Sequence, residues 1–127
     1  MRHPWATTGR VLLVLIFLIS GIGKLAAPRA QAAYAGAHHV PLPLAAVLIA
    51  AVIEIAGGIL VISGGQRAYY AAIVLAIYLI PVTVFIHIVG GFDAVNVLKN
   101  IAIAGGLIAI AAHDWRPAPA TRKAQAA

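Results

Sequence analysis

The chain has 127 residues, of which 63% are hydrophobic and 9% are charged, and its mean hydropathy is +1.00. A soluble domain would carry about 25% charged residues, so the composition excludes a soluble domain and predicts one compact integral membrane domain. The net charge of +6 comes from basic residues that flank apolar segments, the arrangement that sets membrane orientation, so no nucleic-acid partner is predicted. The chain has no cysteine, which excludes disulfides, thiolate metal sites and iron–sulfur ligation by this chain itself.

Four apolar segments are within or near the length of about 20 residues that spans a bilayer as a helix. They cover residues 10–26, 44–63, 68–89 and 96–112. Glycine-rich turns at 64–67 and 90–93 make neighbouring helices run antiparallel. The predicted fold class is therefore all-α, an antiparallel four-helix transmembrane bundle, followed by a flexible cytoplasmic tail over residues 113–127.

Two further features are predicted between and within the spans. The alanine-rich stretch 29–37 predicts a short helix on the membrane surface, and Pro41 and Pro43 restrict the backbone before the second span. Pro81 predicts a kink in the third span, because proline removes one backbone hydrogen bond of the helix.

The basic residues predict the orientation of the bundle. With the N-terminus in the cytoplasm, six Arg and Lys residues fall on the inner side, and three fall on the outer side if Lys24 and Lys99 are counted there. Both termini are therefore predicted to lie in the cytoplasm. An alternative interpretation takes residues 1–27 as a cleaved secretory signal, although Lys24 falls where a small, uncharged cleavage region is needed.

A single carboxylate, Glu54, lies in the middle of the second apolar segment, which carries no other charge. An ionisable group at that depth costs at least about 2.5 kcal/mol to insert, so it should face a polar partner or water. The other strongly polar side chains of the spans lie at the midplane or in the predicted outer half: Lys24, Thr83, His87, Lys99 and Asn100. We expect these side chains to share one interior chamber with Glu54, as ligand-binding or proton-relay groups.

A purely structural role is the alternative for the same polar residues. Interhelical polar contacts contribute about 0.6 kcal/mol each, which is enough to hold helices in register. Lys24 and Lys99 can also extend to the outer headgroups as ordinary anchors. Close helix packing is predicted at five glycines: Gly21, Gly57, Gly58, Gly105 and Gly106. No metal site is predicted, because only His87 lies clearly inside a span, and a haem or metal shared with His38 and His39 has weak support.

Four pieces of sequence occur in order across the four spans. They are residues 10–24, Glu-Ile-Ala-Gly-Gly at 54–58, Thr83 with His87, and Lys-Asn-Ile-Ala-Ile-Ala-Gly-Gly at 99–106. With these pieces in this order, the chain resembles the DoxX family of small bacterial membrane proteins over about residues 10–110. The resemblance implies a four-helix membrane bundle whose polar core contains five of the residues above: Lys24, Glu54, His87, Lys99 and Asn100.

The resemblance also implies an association with redox systems. Founding members of the family are small subunits of a thiosulfate:quinone oxidoreductase, and other relatives accompany oxidoreductases, thiol or oxidative-stress systems, or catabolic enzymes. The leading hypothesis is thus a redox-associated membrane subunit whose outer-half pocket binds a quinone headgroup or a similar small polar ligand. Lys24 and Lys99 would stabilise negative charge, while Glu54 and His87 would relay protons.

Two other functions stay open, and no reaction is assigned to the chain itself. The first is a non-catalytic membrane anchor or assembly partner for a soluble oxidoreductase or stress-response enzyme. The second, with less support, is a small transporter, which would need a continuous polar path. The alanine- and glycine-rich faces of the helices are also compatible with a homo-oligomer.

Overall fold

The structure, a computed structural model, describes residues 3–119 and is helical throughout apart from short connections and the last described residues. The helices are α1 (Pro4–Ala26), α2 (Pro28–Ala37), α3 (Pro43–Ser63), α4 (Gly65–Val82), a π-helical continuation of α4 (Thr83–Val89), and α5 (Ala94–Asp114). Four of these, namely α1, α3, α4 with its π-helical continuation, and α5, are long and apolar enough to cross a membrane. The predicted all-α four-helix transmembrane bundle is confirmed.

Each predicted span lies inside one of these helices, and the differences are at the ends. Helix α1 begins at Pro4 instead of residue 10, because a proline in the first turn needs no backbone donor and presets the helical φ angle. Helix α5 continues to Asp114, so the first two residues of the predicted tail are helical. Residues 115–119 are exposed and non-helical, and the rest of the predicted tail, 120–127, lies outside the described residues.

The helices are arranged in the order α1, α3, α4, α5 around the bundle. Helix α1 packs on α3, α3 on α4, and α4 on α5, whereas α1 and α5 meet over only a short stretch. Each of the four contributes one of the largest fully buried side chains: Val14, Val61, Leu75 and Leu107. These residues lie from the middle of the bundle towards the end that carries both chain termini. The opposite end, next to α2, is left less tightly filled.

Four of the five glycines selected from the sequence lie at helix–helix contacts. A Cβ atom on Gly21 would lie 2.7 Å from Cγ1 of Ile55, and one on Gly57 would lie 2.9 Å from the Leu75 side chain. Gly58 and Gly106 approach leucines of α1 in the same way.

The prediction is wrong for Gly105 within this chain. Gly105 is exposed, and no atom lies within 4 Å of the position that a Cβ atom would take there. The reason is the helical rotation of about 100° per residue, which turns Gly105 away from the contact that its neighbour Gly106 makes with Leu13.

The third span stays helical through Pro81, where the sequence predicted a kink. Helix α4 continues to Val82 and then changes to a π-helix over Thr83–Val89. The π-helical pattern of bonds from residue i to residue i+5 ends with the Gly90 N–H donating to the Phe85 carbonyl at 3.0 Å. This change alters the angular positions of the side chains that follow Pro81.

A buried ion pair closes the bundle at the end that carries the termini. The Arg10 guanidinium donates two hydrogen bonds to the carboxylate of Asp114, one of them 2.8 Å long, and a third to the Val61 carbonyl at 3.2 Å. Arg10 and Asp114 are both buried. The pair therefore ties α1 to α5 and α3, a contact that the sequence pattern did not predict.

Candidate functional site

A polar cluster joins α1, α3 and α4 around the carboxylate of Glu54, which is 4% exposed. The Lys24 ammonium lies 3.1 and 3.0 Å from the two carboxylate oxygens and donates to Ser20 Oγ at 2.6 Å. Ser20 Oγ donates to Glu54 Oε1 at 3.2 Å, and the Tyr78 hydroxyl donates to the same oxygen at 2.8 Å. The predicted need of Glu54 for a polar partner is thus met by Lys24 together with two hydroxyl groups.

The local helix geometry explains why these side chains meet. Ser20 and Lys24 are four residues apart on α1 and therefore stack on one face. Gly21 lies between them in the sequence, at the closest approach of α1 to α3, where a Cβ would lie 3.2 Å from both the Ala51 carbonyl oxygen and Cβ of Glu54. Because Gly21 has no side chain, both the Ser20 hydroxyl and the Lys24 ammonium of α1 can reach Glu54.

A cavity of about 550 Å³ lies beside the cluster, between α3 and α4 and beneath α2. Its polar lining consists of side chains from the cluster, His87 of the π-helix, and Gln31 and Tyr34 of α2; the rest is largely apolar. Helices α3 and α4 touch where Gly57 meets Leu75 and then both line the cavity on the α2 side of Glu54 and Tyr78. The cavity therefore extends from the charged cluster towards α2.

The cavity also reaches the outer surface of the bundle. Ile49 of α3, which is 60% exposed, and the exposed Pro81 of α4 both line it. These two residues belong to segments long and apolar enough to cross a membrane.

Thr83 and Asn100 form a separate hydrogen-bonded pair. Asn100 is 6% exposed, and its Nδ2 donates to Thr83 Oγ1 at 3.0 Å, while Thr83 Oγ1 donates to the Leu79 carbonyl at 2.7 Å. Neither residue lines the cavity. The pair holds α5 against the π-helical part of α4 and satisfies a buried amide.

Lys99 is exposed and takes part in the start of α5 instead of the cavity. Its ammonium donates to Asn96 Oδ1. The Asn96 backbone N–H donates to Asp93 Oδ1 at 3.1 Å, which caps the helix. Hydrogen bonds from the side chain and the backbone of Asn96 hold the pKa of Asp93 below its ordinary value.

The expectation of one chamber for all six polar residues is therefore wrong for Thr83, Lys99 and Asn100. Lys99 and Asn100 are neighbours in α5, and the rotation of about 100° between them means that only one can face inward. In an α-helix, Thr83 and His87 would share a face because they are four residues apart. The structure has a π-helix here, which has more residues per turn, so a spacing of four no longer places both side chains on one face. Lys24, Glu54 and His87 do line the same cavity.

His38 connects α2 to Gly90, at the C-terminal end of the π-helix. The His38 ring packs on Gly90, where a Cβ would lie 2.1 Å from His38 Cδ2, and stacks at 4.2 Å on the ring of Tyr34. Nδ1 of His38 lies 2.8 Å from the Tyr34 carbonyl, an acceptor, so Nδ1 carries the proton. The sequence predicted a helix here, but its low amphipathicity gave no signal that Gln31 and Tyr34 cover a cavity.

Comparison with known proteins was made on the whole chain. The sequence profile of the DoxX family matches residues 6–88, about two thirds of the chain, which includes Lys24, Glu54 and His87 and ends before Lys99 and Asn100. Inner membrane protein YphA of Escherichia coli strain K12 is 28% identical over 113 residues, covering 80% of this chain and 77% of that protein. No solved structure matches the chain.

Proposed function

Because the chain belongs to the DoxX family of membrane proteins, a family associated with redox systems, we propose that it is a redox-associated membrane protein that binds a lipophilic quinone. The observation that carries this proposal is the combination of a largely apolar cavity, lined by exposed residues of two candidate membrane spans, with a charged cluster in its wall. The ring of the ligand would lie against the cluster, and its tail would extend through the gap between α3 and α4.

The size and lining of the cavity support a small ligand of this kind. Sites for small molecules are commonly 300–1,000 Å³, mostly apolar, with a few polar groups that fix orientation. The cavity of about 550 Å³ lies in this range, and its polar side chains are few and concentrated next to Glu54 and at the α2 end. A molecule that is apolar along most of its length and polar at its head matches both features.

The roles of the polar residues follow from their positions. Glu54, held by Lys24 and Tyr78, would accept a hydrogen bond from a hydroxyl group of the ligand in its hydroquinone form. His87 also lines the cavity, and histidine can gain and lose a proton near neutral pH, so it would relay protons. Lys99 has no part in this proposal, because it is exposed and does not line the cavity.

The first test is anaerobic binding of decyl-ubiquinol, the hydroquinone form, to the purified full chain in lipid nanodiscs, measured by equilibrium dialysis. We expect Glu54→Gln and His87→Ala each to raise the Kd at least about fivefold, since loss of one hydrogen-bonding partner changes an affinity by roughly 1 kcal/mol.

Matched control variants exist at the other end of the bundle. His113→Ala removes an exposed histidine that does not line this cavity, and Arg10→Gln with Asp114→Asn neutralises a buried pair of the same kind as Lys24 and Glu54. Both controls should bind decyl-ubiquinol as the wild type does. If neither Glu54→Gln nor His87→Ala changes the Kd, the assignment of the ligand to this cavity fails.

We also propose that the protein lies in the bacterial inner membrane with both termini in the cytoplasm, on the excess of basic residues at that end of the bundle. The cysteine-free sequence makes a direct measurement simple. In intact cells, a membrane-impermeant maleimide should label Ala37→Cys on α2 and leave Ala118→Cys unlabelled until the cells are lysed. The reverse labelling pattern would contradict this orientation.

A second function, recruitment of a soluble oxidoreductase to the membrane, is favoured by apolar side chains in the connections near α2. Leu42, with a left-handed φ of 47°, is 79% exposed, and Phe92 is 73% exposed. This function predicts that Leu42→Ser and Phe92→Ser together abolish co-purification of an oxidoreductase activity, whereas Glu54→Gln leaves it intact. Retention of that activity in the double variant would exclude these connections as the docking surface.

A further inference from the structure

We infer that the cavity selects the reduced form of its ligand, a hydroquinone that donates hydrogen bonds, over the quinone that only accepts them. This inference rests on the proposed function and assigns the chemical state that the same site recognises. It follows from the hydrogen-bond inventory of the polar cluster.

The donors of the cluster are used within the cluster. An ammonium group has three protons, and the Lys24 ammonium directs them to Ser20 Oγ and to both carboxylate oxygens of Glu54. The single protons of Ser20 Oγ and of the Tyr78 hydroxyl are both directed to Glu54 Oε1. No proton of these three side chains is left over for a ligand.

The unused capacity of the cluster is acceptor capacity. An ionised carboxylate offers about two lone-pair positions on each oxygen. Oε1 of Glu54 accepts from Lys24, Ser20 and Tyr78, whereas Oε2 accepts from Lys24 alone. The Tyr78 hydroxyl donates one hydrogen bond and has lone pairs that accept none from the described residues. Glu54 Oε2 and the Tyr78 oxygen are therefore the groups that the cluster presents to a ligand.

A hydroquinone and a quinone form different hydrogen bonds with these groups. The hydroxyl of a hydroquinone adds a charge-assisted hydrogen bond to Glu54 Oε2 without breaking an existing one. The carbonyl of a quinone needs a donor, and it obtains one from this cluster only by displacing a hydrogen bond of Lys24, Ser20 or Tyr78.

The other polar side chains of the cavity do not reverse this preference. A neutral imidazole has one donor and one acceptor, and a primary amide has both kinds of group. His87 and Gln31 therefore serve the hydroquinone and the quinone equally well. The difference between the two forms comes from Glu54 and its partners.

The selection has a measurable redox consequence. Tighter binding of the reduced form raises the midpoint potential of the bound couple, by about 30 mV for each tenfold preference in a two-electron couple. A protein of this kind would hold hydroquinone in the membrane and make its oxidation less favourable while it is bound.

The test compares three probes on the full chain in nanodiscs: decyl-ubiquinol, decyl-ubiquinone, and the dimethyl ether of decyl-ubiquinol, which keeps the ring and tail but has no hydroxyl donor. We expect the ubiquinol to bind at least about tenfold more tightly than either of the other two, the effect of one hydrogen bond to a charged group. Binding is measured anaerobically by equilibrium dialysis, so that the ubiquinol stays reduced.

Two variants connect the preference to Glu54. Glu54→Gln brings amide donors to the same position, so the preference for ubiquinol over ubiquinone should fall to less than about threefold. Since Glu54→Gln leaves Lys24 buried without a counter-charge and can fail to fold, Lys24→Gln with Glu54→Gln removes both charges and should show the same loss. Arg10→Gln with Asp114→Asn is the matched control and should keep the full preference.

The outcomes separate this inference from the function on which it rests. If ubiquinol and ubiquinone bind with equal affinity, or if ubiquinone binds more tightly, the selection of the reduced form is wrong while the quinone site stands. If the ether binds as well as the ubiquinol, hydroxyl donation is not recognised. If none of the three probes binds the wild type, both the inference and the proposed function are wrong.

Discussion

Asp114→Ala will lower the free energy of unfolding by about 3–5 kcal/mol, the usual effect of removing one partner from a buried ion pair. Arg10 is buried and directs its guanidinium at the Asp114 carboxylate and the Val61 carbonyl. Without Asp114, a permanently charged group stays in a water-poor environment with one carbonyl as its partner. The loss comes mainly from this uncompensated charge and less from the hydrogen bonds themselves.

The measurement is an unfolding titration with SDS from mixed micelles, followed by far-UV circular dichroism. Arg10→Met with Asp114→Leu removes both charges and should recover most of the lost stability, because replacement of a buried pair by apolar groups is often neutral or stabilising. Arg29→Ala removes an exposed charge and should change the stability by less than about 0.5 kcal/mol. A loss for Asp114→Ala no larger than that of Arg29→Ala would contradict the structural role of the pair.

The two ion pairs found among residues 3–119 have different surroundings. Arg10 and Asp114 lie at the end of the bundle that holds the core residues Val14, Val61 and Leu107, where a second cavity of about 370 Å³ is lined by Arg10 but not by Asp114. Lys24 and Glu54 lie beside the cavity of about 550 Å³, and the Lys24 side chain is 16% exposed. The Arg10–Asp114 pair thus holds the helices together at the end that carries the termini, whereas both members of the Lys24–Glu54 pair line a cavity that can hold a ligand.

The fold could be predicted because hydropathy and length alone distinguish membrane-spanning helices. Four apolar segments separated by glycine-rich turns leave few arrangements other than an antiparallel bundle. The partner of Glu54 was partly predictable for a similar reason. A carboxylate at the middle of a span needs a counter-charge, and Lys24 is the only basic residue in the first span's outer half.

The positions of the other polar residues depended on facts that a sequence pattern does not contain. The π-helix after Pro81 changes the face on which His87 lies, and spacing rules for an α-helix do not anticipate it. Asn100 finds Thr83 as a partner, which leaves its neighbour Lys99 outside the bundle. The contact of Arg10 with Asp114 joins residues 104 positions apart and follows from which helices are neighbours.

The second large effect is expected from Gly21→Leu, which separates α1 from α3 at the level of the polar cluster. A Cβ at Gly21 already lies 2.7 Å from Ile55 and 3.2 Å from the carbonyl oxygen of Ala51, and backbone cannot move aside as a flexible side chain can. Overpacking of this kind costs about 1–3 kcal/mol or more, which exceeds the gain of about 1 kcal/mol from replacing a helical glycine. The net effect on the free energy of unfolding is therefore destabilising.

The same substitution should weaken ligand binding, because the hydrogen bonds of Lys24 and Ser20 to Glu54 depend on the close approach of α1 to α3. A shift of about 1 Å is enough to break bonds of this length, so we expect the Kd for decyl-ubiquinol to rise at least tenfold. Gly23→Leu is the matched control, since no atom lies within 4 Å of a Cβ at Gly23. It should keep the Kd of the wild type and raise the free energy of unfolding by up to about 1 kcal/mol, the gain from replacing a helical glycine without overpacking. Equal effects of the two substitutions would mean that the contact at Gly21 does not position the cluster, and that Lys24 reaches Glu54 by its own length alone.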